Sequence, residues 1–159
     1  MKKILVSSLI STIALLSSIQ AQDCIMVEDL NVEFKNASTV YMNNTEKQEV
    51  VNFAKFLKDT DLYAVIEGHT SSTASAKYNY DLSTSRAVKV LSTLKELGVN
   101  SSHVRAMGFG ESSPLYNNDT NEGAKNRRVI AEVFNTKAEL NDYILSEKSR
   151  IKNIKYTEQ

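Results

Sequence analysis

The sequence predicts an α+β domain: a βαβαββ mixed sheet with its helices packed on one face, plus a C-terminal helix. Three observations carry this. Two segments with helical apolar spacing alternate with short, partly β-branched runs. The last two strand-like runs are separated by a polar loop alone. A charged stretch with widely spaced isoleucines follows them.

Val27 to Phe34 alternates weakly and reads as the first strand. A polar stretch ends in Asn43-Asn44-Thr45, residues that start helices. Glu46 to Leu57 then places Val50, Val51, Phe53, Ala54 and Leu57 at helical spacing, with an acid near the start to suit the helix dipole. Asp59 to Asp61 breaks it, and Leu62 to Ile66 reads as a buried strand. Ser71 to Ala76 is a small-polar loop in which Ser75 is the N-cap of a second helix. That helix runs to Leu97 with a stripe of Ala87, Val90, Leu91, Leu94 and Leu97, and Gly98 caps it. Val104 to Phe109 is the third strand. Glu111 to Lys125 is a polar loop holding the chain's one proline, Pro114. Arg128 to Phe134 is the fourth strand, with Val129, Ala131 and Val133 on one face. From Lys137 on, Leu140, Ile144, Ile151 and Ile154 fall near one side of a last helix. Their near-heptad spacing suits a narrow seam that docks on the domain or on a second copy; a frayed, solvated terminus is the competing reading.

The N-terminus predicts export. Lys2 and Lys3 precede an uncharged run from Ile4 to Ile19, and Ala21 offers a small residue for cleavage. The run is short for a membrane span and is interrupted by serines. The expected organisation is a signal peptide at 1–21, the domain at 24–135 and a helical tail at 136–159. Asp23, a bulky anion, argues against lipidation of Cys24. As the chain's one cysteine, Cys24 has no internal disulfide partner. It pairs between chains or sits as a small buried residue, and both readings stand.

Charge is balanced at 19 basic and 19 acidic residues, and loss of Lys2 and Lys3 with the signal leaves 17 basic. A near-neutral chain is a poor non-specific nucleic-acid binder. After the N-terminal run, no stretch is long and apolar enough for a membrane helix, and no series of alternating strands suggests a membrane barrel. No nucleophile stands with a base and an orienter, and no carboxylate pair sits in a recognisable motif. His69 and His103 are the only histidines and have no His/Cys cluster around them, so neither a metal nor another cofactor is expected. Gly68, Gly108 and Gly110 serve backbone geometry and do not form a phosphate-binding loop that leads into a helix.

Four segments share an order and spacing: Glu67-Gly68-His69-Thr70 after the second strand, Tyr78 to Ala87 in the following helix, Gly108 to Pro114, and Gly123 to Val129 entering the last strand. In register, they resemble the OmpA C-terminal domain family, which includes the peptidoglycan-associated lipoproteins and MotB stator domains. The resemblance spans about Val27 to Phe134. It implies a non-catalytic module that binds the diaminopimelate-containing stem peptide of peptidoglycan, in the periplasm of a Gram-negative bacterium, at the outer membrane or cell wall. It implies ligand-binding roles for Arg86, Ser71, Thr70, Asn79, Leu82, Phe34 and Arg127.

In the family an Asp holds the ligand's ammonium and an Arg holds its carboxylate. Here the Arg is present as Arg86, whose planar fork suits a carboxylate. The Asp position is Ser71, and the Gly that usually follows is Ala74. Losing a charge-assisted hydrogen bond costs about 1.5–3 kcal/mol, roughly ten- to a hundredfold in affinity. Glu67 and Asp81 are the carboxylates that would replace it. Arg127 and Arg128 support the groove or only close the last strand, with the sequence favouring neither. The alternative function is a structural protein that uses the same fold for an envelope protein partner, with Cys24 or the terminal helix as its contact or as a route to self-association.

Overall fold

A computed structural model describes residues 29–154. The expected signal peptide, its cleavage site, Cys24 and the first residues of the expected first strand lie outside them, as do residues 155–159. The elements run β1 (Asn31–Glu33), α1 (Asn44–Thr60), β2 (Tyr63–His69), α2 (Ala76–Glu96), β3 (Val104–Gly110), a short 3₁₀ helix (Asn121–Asn126), β4 (Arg128–Phe134) and α3 (Lys137–Ile154).

Local chemistry sets the helix ends. The Asn43 side chain accepts from the backbone N–H groups of Thr45 (2.7 Å) and Glu46 (3.2 Å), so α1 begins at Asn44, two residues before the apolar pattern does. Its far end passes the apolar run and closes where Asp61 turns left-handed at φ +56°. Ser75 caps α2 as expected. Gly98 adopts φ +88° while the Val99 N–H reaches back to the Leu94 carbonyl, the left-handed cap that glycine allows most cheaply.

The sheet order is β1-β4-β2-β3, with β2 and β3 parallel and β4 antiparallel to both β1 and β2. The parallel pair requires a crossover, and α2 provides it. β1 is shorter than the sequence pattern suggests: Asn31 to Glu33 pair with Ile130 to Arg128, and Phe34 makes only an isolated bridge to Tyr41.

The two faces of the sheet are both covered. Val32, Ala64, Ile66, Val104 and Val129 point to one face, where they form the main core with Val50, Phe53 and Leu57 of α1 and Ala87, Val90 and Leu94 of α2. Val65, Met107 and Phe109 point to the other, where Leu140 and Ile151 of α3 pack on them, flanked by Tyr143 and Ile144. The crossover helices therefore share one face, as expected, and the tail helix takes the opposite one. Its apolar seam is spent on its own sheet, which decides between docking and a free terminus.

Over the first turns of α2 the packing is unusually close. A Cβ placed on Gly68 would lie 2.0 Å from the Ser83 carbonyl oxygen, and one on Gly108 would lie 2.1 Å from Thr84 Oγ1 and 2.6 Å from its backbone nitrogen. The Ser83 hydroxyl accepts the Gly110 N–H (2.9 Å) and donates to the Tyr80 carbonyl (2.8 Å), which pins the end of β3 to the helix. Gly68→Ala therefore meets backbone and must push α2 off the sheet. A loss of about 1–3 kcal/mol or more is expected in urea denaturation, despite the entropic gain that Gly→Ala normally brings. Leu140→Ala, at a fully buried site on the other face, is expected to cost about 2–5 kcal/mol. It should also speed hydrogen exchange across residues 137–154; unchanged exchange there would contradict a docked α3.

Candidate functional site

At the C-terminal end of β2, the chain leaves the sheet through Thr70 and Ser71, and α2 starts directly above. The Thr70 N–H is held by the Gly110 carbonyl (2.8 Å), so the same close packing that seats α2 also fixes this exit. Buried positions Asn79, Ser83 and Arg86 follow one another at intervals of four and three on α2, which is one helical face. A half-open cavity of about 190 Å³ lies where this face meets the 35–38 loop and the start of β4.

Arg86 dominates it. The side chain is fully buried, with its guanidinium over the Phe34 ring at 5.4 Å. Nε donates to the Ser38 carbonyl (2.9 Å) and Nη2 to the Lys35 carbonyl (3.1 Å). Between those two carbonyls Ala37 adopts φ +48°, a left-handed conformation that costs a non-glycine residue roughly 1–2 kcal/mol. Nη1 is buried and makes no hydrogen bond within the described residues. Two of the five N–H donors are thus spent on the protein, and Nη1 keeps both of its own. Burial, and secondarily the charge of Arg127, pushes the Arg86 pKa down to about 10, against a small opposing effect of Tyr78. It remains a cation at neutral pH.

Arg127, half-buried at the entry to β4, lines the same cavity, and its Nε is likewise buried without a hydrogen-bond partner. Thr70, Ser71, Asn79 and Leu82 complete the expected set there, joined by Thr73, Ala74, Tyr78, Asn36 and Ala37. The structure thus brings six of the seven expected residues together. Phe34 does not line the cavity: it is fully buried beneath Arg86 and supports the guanidinium from within the core. Ser71 Oγ lies 3.4 Å from Thr73 Oγ1, and the Thr70 hydroxyl is buried and unpartnered.

No acidic side chain lines the cavity among the described residues. Neither carboxylate considered from sequence takes the place of the missing Asp. Asp81 is exposed and pairs with Lys77 at 2.7 Å. Glu67 faces the opposite side of the sheet, because adjacent strand residues alternate, and there accepts the Tyr143 hydroxyl at 2.6 Å. Buried Glu111 stands behind the cavity wall, where it accepts from Asn79 Nδ2. That nitrogen also donates to the Ala74 carbonyl (3.0 Å), so Asn79 turns its remaining acceptor, Oδ1, elsewhere.

With this geometry in place, the profile of the OmpA family matches residues 34–128. The chain belongs to the OmpA family. Among OmpA relatives, outer membrane porin F of Pseudomonas aeruginosa is 44% identical over 88 residues, which cover 54% of this chain and 25% of that protein. The peptidoglycan-associated lipoprotein of Buchnera aphidicola is 31% identical over 107 residues, 62% of each chain. The chain thus spans about a quarter of the porin's length and under two thirds of the lipoprotein's. Among solved structures, the C-terminal domain of Helicobacter pylori MotB superposes with a TM-score of 0.61 at 25% identity, covering 77% of this chain and 98% of that one. The peptidoglycan-associated lipoprotein of Burkholderia pseudomallei gives 0.61 at 24% identity, with 65% and 89% covered, a likeness of fold. In this OmpA domain the mixed sheet and helices follow the same arrangement.

Sequence reasoning did not assign to the site Glu111, which looked like the first residue of a loop, or Tyr78, which opened the family-like segment of the second helix. It also missed Asn126, fully buried, whose amide holds the backbone N–H groups of Leu115 and Tyr116 (both 3.0 Å) and the Tyr116 carbonyl (2.8 Å). An Asn directly before two arginines was the available signal. On the α3 face, His69 is buried, stacks on Phe109 with ring centroids 5.2 Å apart, and lies 3.6 Å from Glu67. Burial lowers its pKa from 6.5, against the raising influence of Glu67; Arg128 and Arg150 lower it further. The folded state therefore holds His69 neutral where the unfolded chain takes up a proton. Stability from this group is present above pH about 6.5 and is lost as pH falls below it. Urea midpoints between pH 7.5 and 5 should fall for wild type and fall less for His69→Phe; equal slopes would exclude His69 as the source.

Proposed function

We propose that this OmpA domain is a non-catalytic peptidoglycan-binding module of the cell envelope, and that its cavity takes a carboxylate of the stem peptide at Arg86 and Arg127. One observation carries the reading: a buried guanidinium with unspent N–H donors at Nη1 borders a small cavity beside a second arginine. A buried cation that lacks an anionic partner is costly, and a carboxylate relieves that cost with charge-assisted hydrogen bonds. The relatives give the context: two are named peptidoglycan-associated lipoproteins, and one solved structure is described as the cell wall anchor of the Pseudomonas aeruginosa type VI secretion system, matching with a TM-score of 0.57 at 27% identity.

On this reading residues 1–21 direct export, 24–135 form the ligand-binding unit, and 136–159 form a tail whose helix α3 covers the second face of the sheet. The domain works in the periplasm, against the outer membrane or wall, and tethers without chemistry. Diaminopimelate is the stem residue that supplies the carboxylate. Ser71 lowers the affinity for its ammonium relative to an Asp at the same place. If the cavity no longer serves peptidoglycan, an envelope protein partner is the remaining use of the fold.

Binding to purified sacculi is the test. Arg127→Ala is half-exposed and is expected to weaken binding roughly tenfold through loss of a charge-assisted contact. Arg86→Ala should abolish it. Because Arg86 also ties down the 35–38 loop, that variant is expected to melt earlier, and its loss of binding counts only at temperatures where circular dichroism shows it folded. Arg86→Lys should recover part of the binding, since an ammonium lacks the fork. Folded wild type that leaves sacculi entirely unbound would overturn the reading in favour of a protein partner.

A further inference from the structure

The composition of the cavity wall specifies more than a carboxylate. Two guanidiniums border it and no acid does, among the described residues. Its remaining polar side chains are neutral: the hydroxyls of Thr70, Ser71, Thr73 and Tyr78 and the amides of Asn36 and Asn79. The Glu111 carboxylate behind the wall does not line the cavity and is engaged by Asn79. An amino acid in its free form carries an ammonium two bonds from the carboxylate carbon. With the carboxylate at Arg86, that ammonium is drawn into a space already holding two positive charges, with no counter-charge to meet it. Like charges in a partly desolvated site repel far more than in bulk water.

We infer that the cavity selects a carboxylate whose neighbouring nitrogen is acylated over the free amino-acid zwitterion, and so favours cross-linked stem peptides over free ones. The inference rests on the peptidoglycan reading above. Acylation replaces the ammonium with a neutral amide. Its single N–H is a donor that a serine or threonine hydroxyl accepts without needing charge, and the Thr70 hydroxyl is buried with no partner of its own. The amide carbonyl leaves through the open side, bordered by exposed Ala74 and Tyr78. In a cross-linked wall the diamino acid keeps its carboxylate while its amine is joined to the neighbouring stem, which is the required form.

Two small probes decide it: a stem tripeptide ending in diaminopimelate whose two carboxyls beside amide nitrogens are themselves amidated, leaving free the carboxylate beside the side-chain amine, and the same peptide with that amine acetylated. Each is titrated into the mature chain by calorimetry at low salt, beside a sacculus pull-down. Wild type is expected to bind the acetylated peptide roughly three- to tenfold more tightly, the scale of one screened like-charge repulsion. Ser71→Asp is expected to reverse the order, since it supplies the missing anion. The wild-type pair alone is decisive should Ser71→Asp fold poorly. Equal or tighter binding of the free amine by wild type overturns the selectivity and leaves the peptidoglycan reading intact. Failure of both peptides and of sacculi to bind overturns both.

Discussion

The approach of α2 to the sheet at Gly68 and Gly108 is the constraint on which the rest of the structure depends. Two neighbouring parallel strands each present a bare backbone at the same level, and the Ser83–Thr84 backbone and side chains sit on them at distances that exclude a Cβ. The contact is short-range packing, so it fixes height and rotation together. The Ser83 hydroxyl then bonds the Gly110 N–H, and the Gly110 carbonyl holds Thr70. With Ser83 seated, Asn79 and Arg86 on the same helical face have only one place to go. The cavity is a consequence of that seating, and its arginine is buried because the helix cannot stand further off.

The second face of the sheet solves a different problem. Glu67 and His69 alternate onto it from the same strand whose even positions serve the main core. Both are buried polar groups, and α3 answers the first: Tyr143 donates to Glu67, while Arg150 lies over the Phe109 ring at 5.2 Å and donates to Ser113; both His69 ring nitrogens are buried without a hydrogen-bond partner among the described residues. Burial drives the Tyr143 hydroxyl pKa upward, with the Glu67 carboxylate adding to it, so the phenol stays a donor. The tail helix is therefore both an apolar lid and the hydrogen-bonding partner of the strand end that leads to the cavity.

The two faces differ in what their polar groups meet. On the α2 side Arg86 and Arg127 keep buried nitrogens without hydrogen-bond partners among the described residues, and on the α3 side the Glu67 carboxylate accepts the Tyr143 hydroxyl. A single strand, β2, connects them, since its last residues alternate between Glu67, His69 and the exit at Thr70.

Much of this was legible in the order of residues. Helix and strand succession followed from apolar periodicity, Ser75 and Gly98 marked both ends of α2, and β4 was bounded correctly because alternation and flanking polar loops coincide there. Six cavity residues were identified by resemblance to a family pattern, since no local rule distinguishes Arg86 from an arginine on a solvated helix face. The tertiary structure alone decided the face taken by α3, because periodicity reports that a seam exists and not what it meets. It decided that Phe34 lies beneath Arg86, that Glu67 points away from the cavity, and that the Lys35 and Ser38 carbonyls consume part of the guanidinium. Each of these depends on contacts between residues tens of positions apart, which side-chain direction and close packing settle and sequence spacing does not.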